Sequence, residues 1–229
     1  MAQGIEKIRE KLPGYEGKRI GLLGALAPLM ISIGLGFQLF MDVVPRIFPQ
    51  IQLLTQLEPL FPMLGSMIIA SIGLTLLTRL WRKRIEMQER YGDLAYQKIL
   101  PSGFSGAWLQ MSVLLHGVFS VRSLPPGPPV NDLTISLSRS ILPLIGVTNE
   151  IDIILRISLA TIIVVLGIVT IARAIRELGL DTGLLVYVYF PEESEFKEHA
   201  IYSVIRHPAY LGVLLIVVSF CALRFSLYS

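Results

Sequence analysis

Residues 151–172 read IDIILRISLATIIVVLGIVTIA, an apolar run in which Asp152 and Arg156 are the only charged side chains. A helix rises about 1.5 Å per residue, so a run of this length can cross a hydrocarbon core about 30 Å thick. Runs of similar character occupy residues 20–41, 60–80, 104–121 and 208–227. The sequence therefore predicts an all-α protein, a polytopic transmembrane helical bundle with about five membrane-spanning helices and additional interfacial helices.

The composition agrees with a membrane protein. The 229 residues are 53% hydrophobic and only 16% charged, and the mean hydropathy is +0.64, whereas soluble domains carry roughly 25% charged residues. Disordered chains are poorer in apolar residues and richer in charge than this one. The single cysteine, Cys221, excludes a disulfide framework and a multi-cysteine metal site, and we predict no bound metal.

The basic residues are concentrated between the apolar runs. Five Lys and Arg residues precede the first run, and the successive connections hold one, six, two and four. Because cytoplasmic loops are enriched in Lys and Arg, this alternation predicts five crossings with a cytoplasmic N-terminus, and it is lost if residues 104–121 do not cross. The net charge of +3 is therefore explained by membrane topology, and we predict no nucleic-acid partner.

Several polar or amphipathic features have structural interpretations. Residues 79–99 have apolar side chains at roughly helical spacing and begin with basic ones, which is typical of an interfacial helix. Residues 133–147 are predicted to be re-entrant or interfacial, with a sixth crossing as the alternative. Asp152 and Arg156 are four residues apart and are expected to form an ion pair. His116 is expected to be a packed, hydrogen-bonded side chain.

One predicted cytoplasmic connection ends in a run whose side chains are suited to ligand binding, YSVIRHPAYLG at residues 202–212. Proline is favoured in the first turn of a helix, so the fifth span is predicted to begin at Pro208. Arg206 and His207 then precede a helix N-terminus, whose free N–H groups and dipole favour an anion. These features fit binding of a carboxylate, a phosphate or ribose hydroxyls, and they fit equally the anchoring of a helix end at lipid head groups.

The pattern Tyr-x-x-x-Arg-His-Pro-x-Tyr-x-Gly resembles a motif of the isoprenylcysteine carboxyl methyltransferase and phospholipid methyltransferase superfamily. The resemblance covers about residues 151–229, which divides the chain into a transmembrane region of no recognised family (1–150) and a methyltransferase-like region (151–229). It implies S-adenosylmethionine as cofactor and a lipid or lipidated acceptor at the cytoplasmic membrane face. The residues that the resemblance places in the cofactor site are Tyr202, Arg206, His207, Pro208, Ala209 and Tyr210. No residue is assigned a catalytic role.

The sequence also departs from the pattern of that superfamily. Ala200 stands where members usually have glycine, and Lys197 fits poorly in the apolar pair that supports the adenine. Members continue with a return helix, an arginine and paired glutamates, whereas this sequence stops at Ser229, so we expect a truncated sequence. The acidic residues before the motif are interpreted as a solvated face: Glu192, Glu193, Glu195 and Glu198.

Two other functions are compatible with the sequence. Sterol- or steroid-reductase-like enzymes that use NADPH have a similar Arg-His-Pro motif, followed by Asn and, shortly after the glycine, by Glu. The corresponding residues here are Ala209 and Val213, which favours the methyltransferase. The second alternative is a non-catalytic membrane scaffold, in which the motif only anchors a helix end.

Overall fold

The computed structural model describes residues 5–15, 18–119, 131–193, 205 and 207–227. Regular secondary structure in these ranges is helical, without a strand, which confirms the predicted all-α class. Three helical stretches in the described residues are long and apolar enough to cross a membrane: Gly21–Ile47, Gln52–Arg82 and Asn149–Leu178. The fold is that of a helical membrane bundle.

A helix lies at the position of each predicted span. In chain order the α-helices are α1 (Ile5–Lys11), α2 (Lys18–Ile47), α3 (Gln52–Leu57), α4 (Phe61–Arg82), α5 (Arg84–Tyr91), α6 (Ala95–Phe119), α7 (Asp132–Ser138), α8 (Asn149–Leu178), α9 (Leu180–Gly183), α10 (Val186–Tyr189) and α11 (Pro208–Arg224). Short 3-10 turns occupy Glu58–Leu60, Gly92–Leu94, Leu142–Ile145 and Pro191–Glu193. The third and fifth predicted spans correspond to α6, with 25 residues, and to α11, with 17.

The first predicted span ends too early at residue 41. Helix α2 continues to Ile47 and carries two charged residues in the extension, Asp42 and Arg46. Both side chains are buried, because Asp42 contacts a histidine of α6 and Arg46 contacts Glu58 at 3.4 Å. Partners outside the helix therefore allow it to continue past charged positions.

The predicted interfacial helix over residues 79–99 is not one helix. Gly92, with a φ of +52°, separates α5 from the turn that leads into α6, a backbone conformation that glycine adopts without strain. Leu80 and Ala95, two of the apolar residues from which the interfacial helix was predicted, are buried in a protein core. Residues 133–147 contain α7 and a 3-10 turn, neither of which is long enough to cross a membrane.

The chain forms two compact units. Unit 1 comprises Met1–Pro28, Leu74–Ala107 and Val164–Ile216, and unit 2 comprises Leu29–Gly73, Trp108–Ile163 and Val217–Ser229. The core of unit 1 consists of Leu12, Leu80, Ala95, Tyr96, Ile99, Leu100, Val186 and Tyr189. Tyr96 donates a hydrogen bond to the Leu184 carbonyl at 2.9 Å, so even the polar atom of this core side chain is satisfied. The family-based division at residue 150 stays a prediction.

Helices α8 and α11 approach each other closely within unit 1. A Cβ atom on Gly167 of α8 would lie 2.9 Å from the carbonyl oxygen of Gly212 in α11. A Cβ atom on Gly212 would lie 2.4 Å from Cγ1 of Ile171 and 2.8 Å from the Gly167 oxygen. Small residues permit such backbone contact between membrane helices. The last glycine of the motif therefore has a packing role, which positions the start of α11.

We predict that Gly212→Ala and Gly167→Ala each destabilise the protein by roughly 1–3 kcal/mol, because the added methyl group overpacks a backbone contact. Thermal unfolding of the detergent-solubilised protein measures the effect. Gly24→Ala in α2 is the matched control, since a Cβ atom there meets nothing within 4 Å. Equal stability of the three variants would contradict the close helix contact.

Candidate functional site

The motif residues that the structure describes lie at the start of α11. Pro208 is the first residue of the helix, and the His207 carbonyl accepts a hydrogen bond from Leu211 N at 3.1 Å. Pro208 is fully buried. It has no N–H to leave unsatisfied in the first turn, so the structure confirms that the span begins at this proline.

His207 and Tyr210 present their side chains at the surface of this first turn. Tyr210 is 63% exposed, His207 is exposed and Ala209 is half-buried. The rings of His207 and Tyr210 are 5.7 Å apart with an interplanar angle of 36°. Two further predicted site residues, Tyr202 and Arg206, lie outside the described residues, as do positions 194–201. The assignment of these residues to a cofactor site stays a prediction.

The chain segment before the motif is anchored by α1. Lys11 Nζ donates to Glu193 Oε1 at 2.6 Å, and Lys7 Nζ lies 3.3 Å from Glu193 Oε2. Lys11 also lies 4.4 Å from the centre of the Phe190 ring. The interpretation of Glu193 as part of a solvated acidic face is therefore wrong, because α1 brings two lysines to it from the far end of the sequence.

This contact changes the titration of both partners. The hydrogen bond from Lys11 lowers the pKa of Glu193 below its ordinary value of 4.5 against the opposing effect of desolvation. The hydrogen bond to Glu193 likewise raises the pKa of Lys11 above 10.5. Each group is thus stabilised in its charged form.

A small cavity of about 210 Å³ lies in unit 1 beside the same segment. The turn between α5 and α6 lines one part of it, including Asp93, and α10 with the following turn lines another, including Glu192. Gln88 from α5 donates a hydrogen bond to the Tyr189 carbonyl at 2.8 Å. The lining is mostly polar, and the residues that follow it on the chain lead into the motif.

Unit 2 contains a buried polar network centred on His116. Its Nε2 atom lies 2.8 Å from Asp42 Oδ2, and its Nδ1 atom lies 3.3 Å from Ser66 Oγ. His116 and Asp42 are almost completely buried. The expectation of a packed, hydrogen-bonded histidine at this position is confirmed, and the network joins α2, α4 and α6.

Hydrogen-bond directions can be assigned from the far end of this network. Ser112 Oγ donates to the Leu109 carbonyl at 2.7 Å, so its oxygen accepts from Gln38 Nε2 at 3.4 Å. The amide oxygen of Gln38 then accepts from Ser66 Oγ at 3.1 Å. Because the Ser66 hydroxyl donates to Gln38, its oxygen is left to accept from His116 Nδ1. The other ring nitrogen, Nε2, contacts Asp42.

A cavity of about 300 Å³ adjoins this network in unit 2. Residues of α4, α6 and the last turn of α11 line it, among them Ser66, His116 and Arg224. The described residues contain no group of three or more His, Cys, Asp or Glu side chains that would hold a metal ion. The cavity is therefore lined by both polar and apolar side chains, and the described residues provide no cluster of metal ligands for it.

The partners of His116 were not predictable from the sequence. Asp42 is 74 residues away in the sequence, and nothing local connects the two. A weak signal was present, since Gln38 and Asp42 are four residues apart, as are Ser112 and His116, which places each pair on one helical face. Polar pairs of this kind on two apolar helices do not show that the helices contact each other, because that depends on how the helices pack.

The fold and the motif define a class, an integral membrane protein with a helix that begins at Pro208, the proline of a His-Pro-Ala-Tyr run. Residues 155–226 match the phospholipid methyltransferase family. This match covers about a third of the chain, confirms the resemblance of its C-terminal part to the isoprenylcysteine and phospholipid methyltransferase superfamily, and supports a membrane methyltransferase. Neither a curated protein nor a solved structure matches the chain significantly.

We predict that the docking of α1 weakens as the pH falls below about 4.5, because Glu193 has a lowered pKa and its stabilising effect is lost when it is protonated. The raised pKa of Lys11 predicts a second loss only above about 10.5. The protection of residues 5–15 against hydrogen exchange, measured relative to the intrinsic exchange rate at each pH, should be constant between these limits.

A variant tests the same contact at neutral pH. Glu193→Gln should speed the exchange of residues 5–15 roughly twofold to fivefold, as expected for a partly exposed ion pair of about 0.5–1 kcal/mol. Glu192→Gln is the control, because Glu192 is exposed and its neighbour makes the ion pairs. Equal exchange in the two variants would argue against the anchoring role.

Asp42→Asn is predicted to destabilise unit 2 by about 3–5 kcal/mol, since it removes the carboxylate that contacts buried His116 at 2.8 Å. Asp132→Asn at the exposed start of α7 serves as the control. Thermal unfolding in detergent measures both variants. A loss below about 1 kcal/mol in Asp42→Asn would show that the network does not stabilise the fold.

Proposed function

We propose that this protein is an S-adenosylmethionine-dependent methyltransferase that acts on a lipid or lipidated acceptor at the cytoplasmic membrane face, with its N-terminus in the cytoplasm. The observation that carries the proposal is the family match over residues 155–226, which includes the motif and all of α11. The exposed aromatic side chains at the start of that helix support it.

The described part of the motif has features that fit S-adenosylmethionine. The first N–H groups of α11 have no partner within the helix and favour a carboxylate, such as that of the methionine moiety. His207 and Tyr210 lie beside them with exposed rings. Arg206 is the preceding residue in the sequence and adds a guanidinium suited to a carboxylate. We propose Tyr202 as an additional contact on the basis of the resemblance alone.

Bound S-adenosylmethionine supplies a methyl group that its sulfonium already activates. The protein then has to hold the acceptor in line with that methyl group and to exclude water. In our proposal His207 and Tyr210 contact the cofactor directly, whereas buried Pro208 and half-buried Ala209 shape the turn that presents them. A carboxylate acceptor needs no general base, which agrees with a site to which none is assigned.

A lipid acceptor is supported by the surface that adjoins the motif on α11. Tyr210, Val213 and Leu214 are 63%, 54% and 57% exposed, and their spacing of three and four residues places them on one helical face. This apolar strip begins at the motif. In our proposal the acyl or isoprenyl chain of the acceptor lies along it, which brings the reactive group to the first turn.

The proposal predicts methyl transfer from radiolabelled S-adenosylmethionine to an extractable lipid by membranes that contain the full chain. Arg206→Ala and His207→Ala should lower the rate by about 10- to 100-fold, the effect expected from loss of a hydrogen bond to a charged ligand. Arg139→Ala is the control, since Arg139 is exposed in unit 2. Unfolding temperatures of all variants show that folding is retained.

The effect of ligands on the unfolding temperature distinguishes the methyltransferase from the reductase-like enzyme and from the non-catalytic scaffold. S-adenosylhomocysteine at about 100 times its Kd should stabilise the protein by about 2.7 kcal/mol, and NADPH should have no effect. Stabilisation by NADPH alone would favour the reductase-like enzyme. An unchanged unfolding temperature with both ligands would favour the scaffold and would contradict the proposal.

A further inference from the structure

We propose that unit 1 holds a binding site for the head group of an anionic phospholipid, formed by Arg84 of α5 and Tyr189 of α10. The Nε atom of Arg84 and the hydroxyl of Tyr189 are both buried, and neither has a hydrogen-bond partner among the described residues. Both residues belong to unit 1. Neither is part of the motif, so the inference does not depend on the proposed function.

The packing of α5 against α10 brings the two groups together. Gln88 Nε2 donates a hydrogen bond to the Tyr189 carbonyl at 2.8 Å, and Arg84 lies one turn earlier on the same face of α5. Burial raises the pKa of the Tyr189 hydroxyl above its ordinary value of 10, and the charge of Arg84 opposes this effect. The guanidinium therefore lies within electrostatic range of the hydroxyl, and one negatively charged group with several oxygens satisfies both.

The chemistry of the pair fits a phosphate group. Tyr189 is only 2% exposed, and a buried hydroxyl without a partner costs free energy that a ligand oxygen recovers. The ion pairs among the described residues do not include Arg84. A guanidinium binds two oxygens of a phosphate side by side, which leaves a further oxygen to accept from the hydroxyl.

The position of the site favours a phospholipid over a soluble phosphate. Arg84 follows the candidate membrane span Gln52–Arg82 by two residues. Its neighbours Trp81 and Ile85 are 42% and 71% exposed, and tryptophan is enriched at membrane interfaces. Arg84 is half-buried, so a head group reaches it from the surface, and rotation of this flexible side chain brings Nε and the hydroxyl to the same phosphate. The acyl chains then lie beside the two exposed apolar side chains.

The surrounding charge favours an anionic head group over a zwitterionic one. Four basic residues occur within six positions, Arg79, Arg82, Lys83 and Arg84. Of these, only Lys83 forms an ion pair within the described part of the chain, with Glu86. Basic clusters at the end of a membrane span attract anionic lipids. The ammonium of a zwitterionic head group would instead lie among like charges.

The test is a titration of the full chain in dodecylmaltoside with dioctanoylphosphatidylglycerol, with the unfolding temperature as the readout. A ligand that binds the folded protein raises this temperature, so the concentration dependence gives an apparent Kd. Dioctanoylphosphatidylcholine, which has the same chains and phosphate but also an ammonium, should bind about tenfold more weakly or worse. Glycerol 3-phosphate, which has no chains, should have no effect at the same concentrations.

Three results of this titration would overturn the proposal. The first is an unfolding temperature that phosphatidylglycerol does not change. The second is equal stabilisation by phosphatidylcholine, which would remove the selectivity for an anionic head group. The third is equal stabilisation by glycerol 3-phosphate, which would show that the ligand is a soluble phosphate.

Variants separate a defined site from a diffuse basic surface. Arg84→Gln should weaken the apparent Kd for phosphatidylglycerol about tenfold or more. Exposed Arg82 provides the matched control, and Arg82→Gln should change the Kd by less than about twofold, as expected for a screened surface charge. The same loss of affinity in both variants would show a diffuse surface and overturn the proposal.

Tyr189→Phe keeps the ring in the core and removes only the hydroxyl, so it tests the site even if Arg84→Gln fails to fold. It should weaken the Kd for phosphatidylglycerol roughly threefold to tenfold. Without lipid its unfolding temperature should be equal to or higher than that of the wild type, because the lost hydroxyl has no partner among the described residues. Wild-type affinity in Tyr189→Phe, or lower stability without lipid, would contradict a ligand role for this hydroxyl.

Discussion

Charged and polar side chains within apolar helices must find their partners inside the protein, because lipid offers no hydrogen-bond partner and burial of an unpaired charge is costly. Unit 2 shows how this constraint is met. Asp42 and His116 are paired at 2.8 Å, and Arg46 and Glu58 at 3.4 Å, with all four residues buried. Asp42 and His116 are 74 residues apart in the sequence, and Glu58 lies beyond α3 from Arg46, so these contacts also specify how the helices pack.

The same constraint determines the position of α11. In unit 2, Arg156 of α8 pairs with Asp152, as predicted from their spacing, and it also donates a hydrogen bond to the Leu223 carbonyl at 2.7 Å. That carbonyl belongs to the last turn of α11, where the helix itself provides no donor. In unit 1 the contact of Gly167 with Gly212 brings the two backbones together. A hydrogen bond near one end and a steric fit near the other thus hold the helix that carries the motif.

Local patterns were sufficient to predict that a helix lies at each apolar run and that α11 starts at Pro208. The apolar runs have the length and composition that a membrane helix requires, and Pro208 identifies the first turn on its own. The extension of α2 past Asp42 and the ion pairs of Glu193 were not predictable in this way. Both depend on partners 74 and 182 residues distant, and no local pattern contains the packing that brings such residues together.

The candidate site was less predictable from the sequence than the fold was. The spacing and charge of residues 202–212 indicated an anion site or a lipid anchor, and only the resemblance favoured a cofactor. The structure adds a distinction that the sequence did not make, since His207 and Tyr210 are exposed whereas Pro208 is buried and Gly212 contacts α8. The glycine and proline of the motif therefore serve the fold, and the exposed aromatic side chains are available to a ligand.

This distinction bears on what the motif implies for function. The first turn of α11 has two exposed rings 5.7 Å apart, and exposed tyrosines at a helix end are also typical of attachment at a membrane interface. A ligand with a charged end and a flat or aliphatic part uses both the free N–H groups of the helix and the ring faces. The first turn of α11 thus presents the groups that the proposed cofactor site requires, and the ligand experiments distinguish that site from a helix anchor.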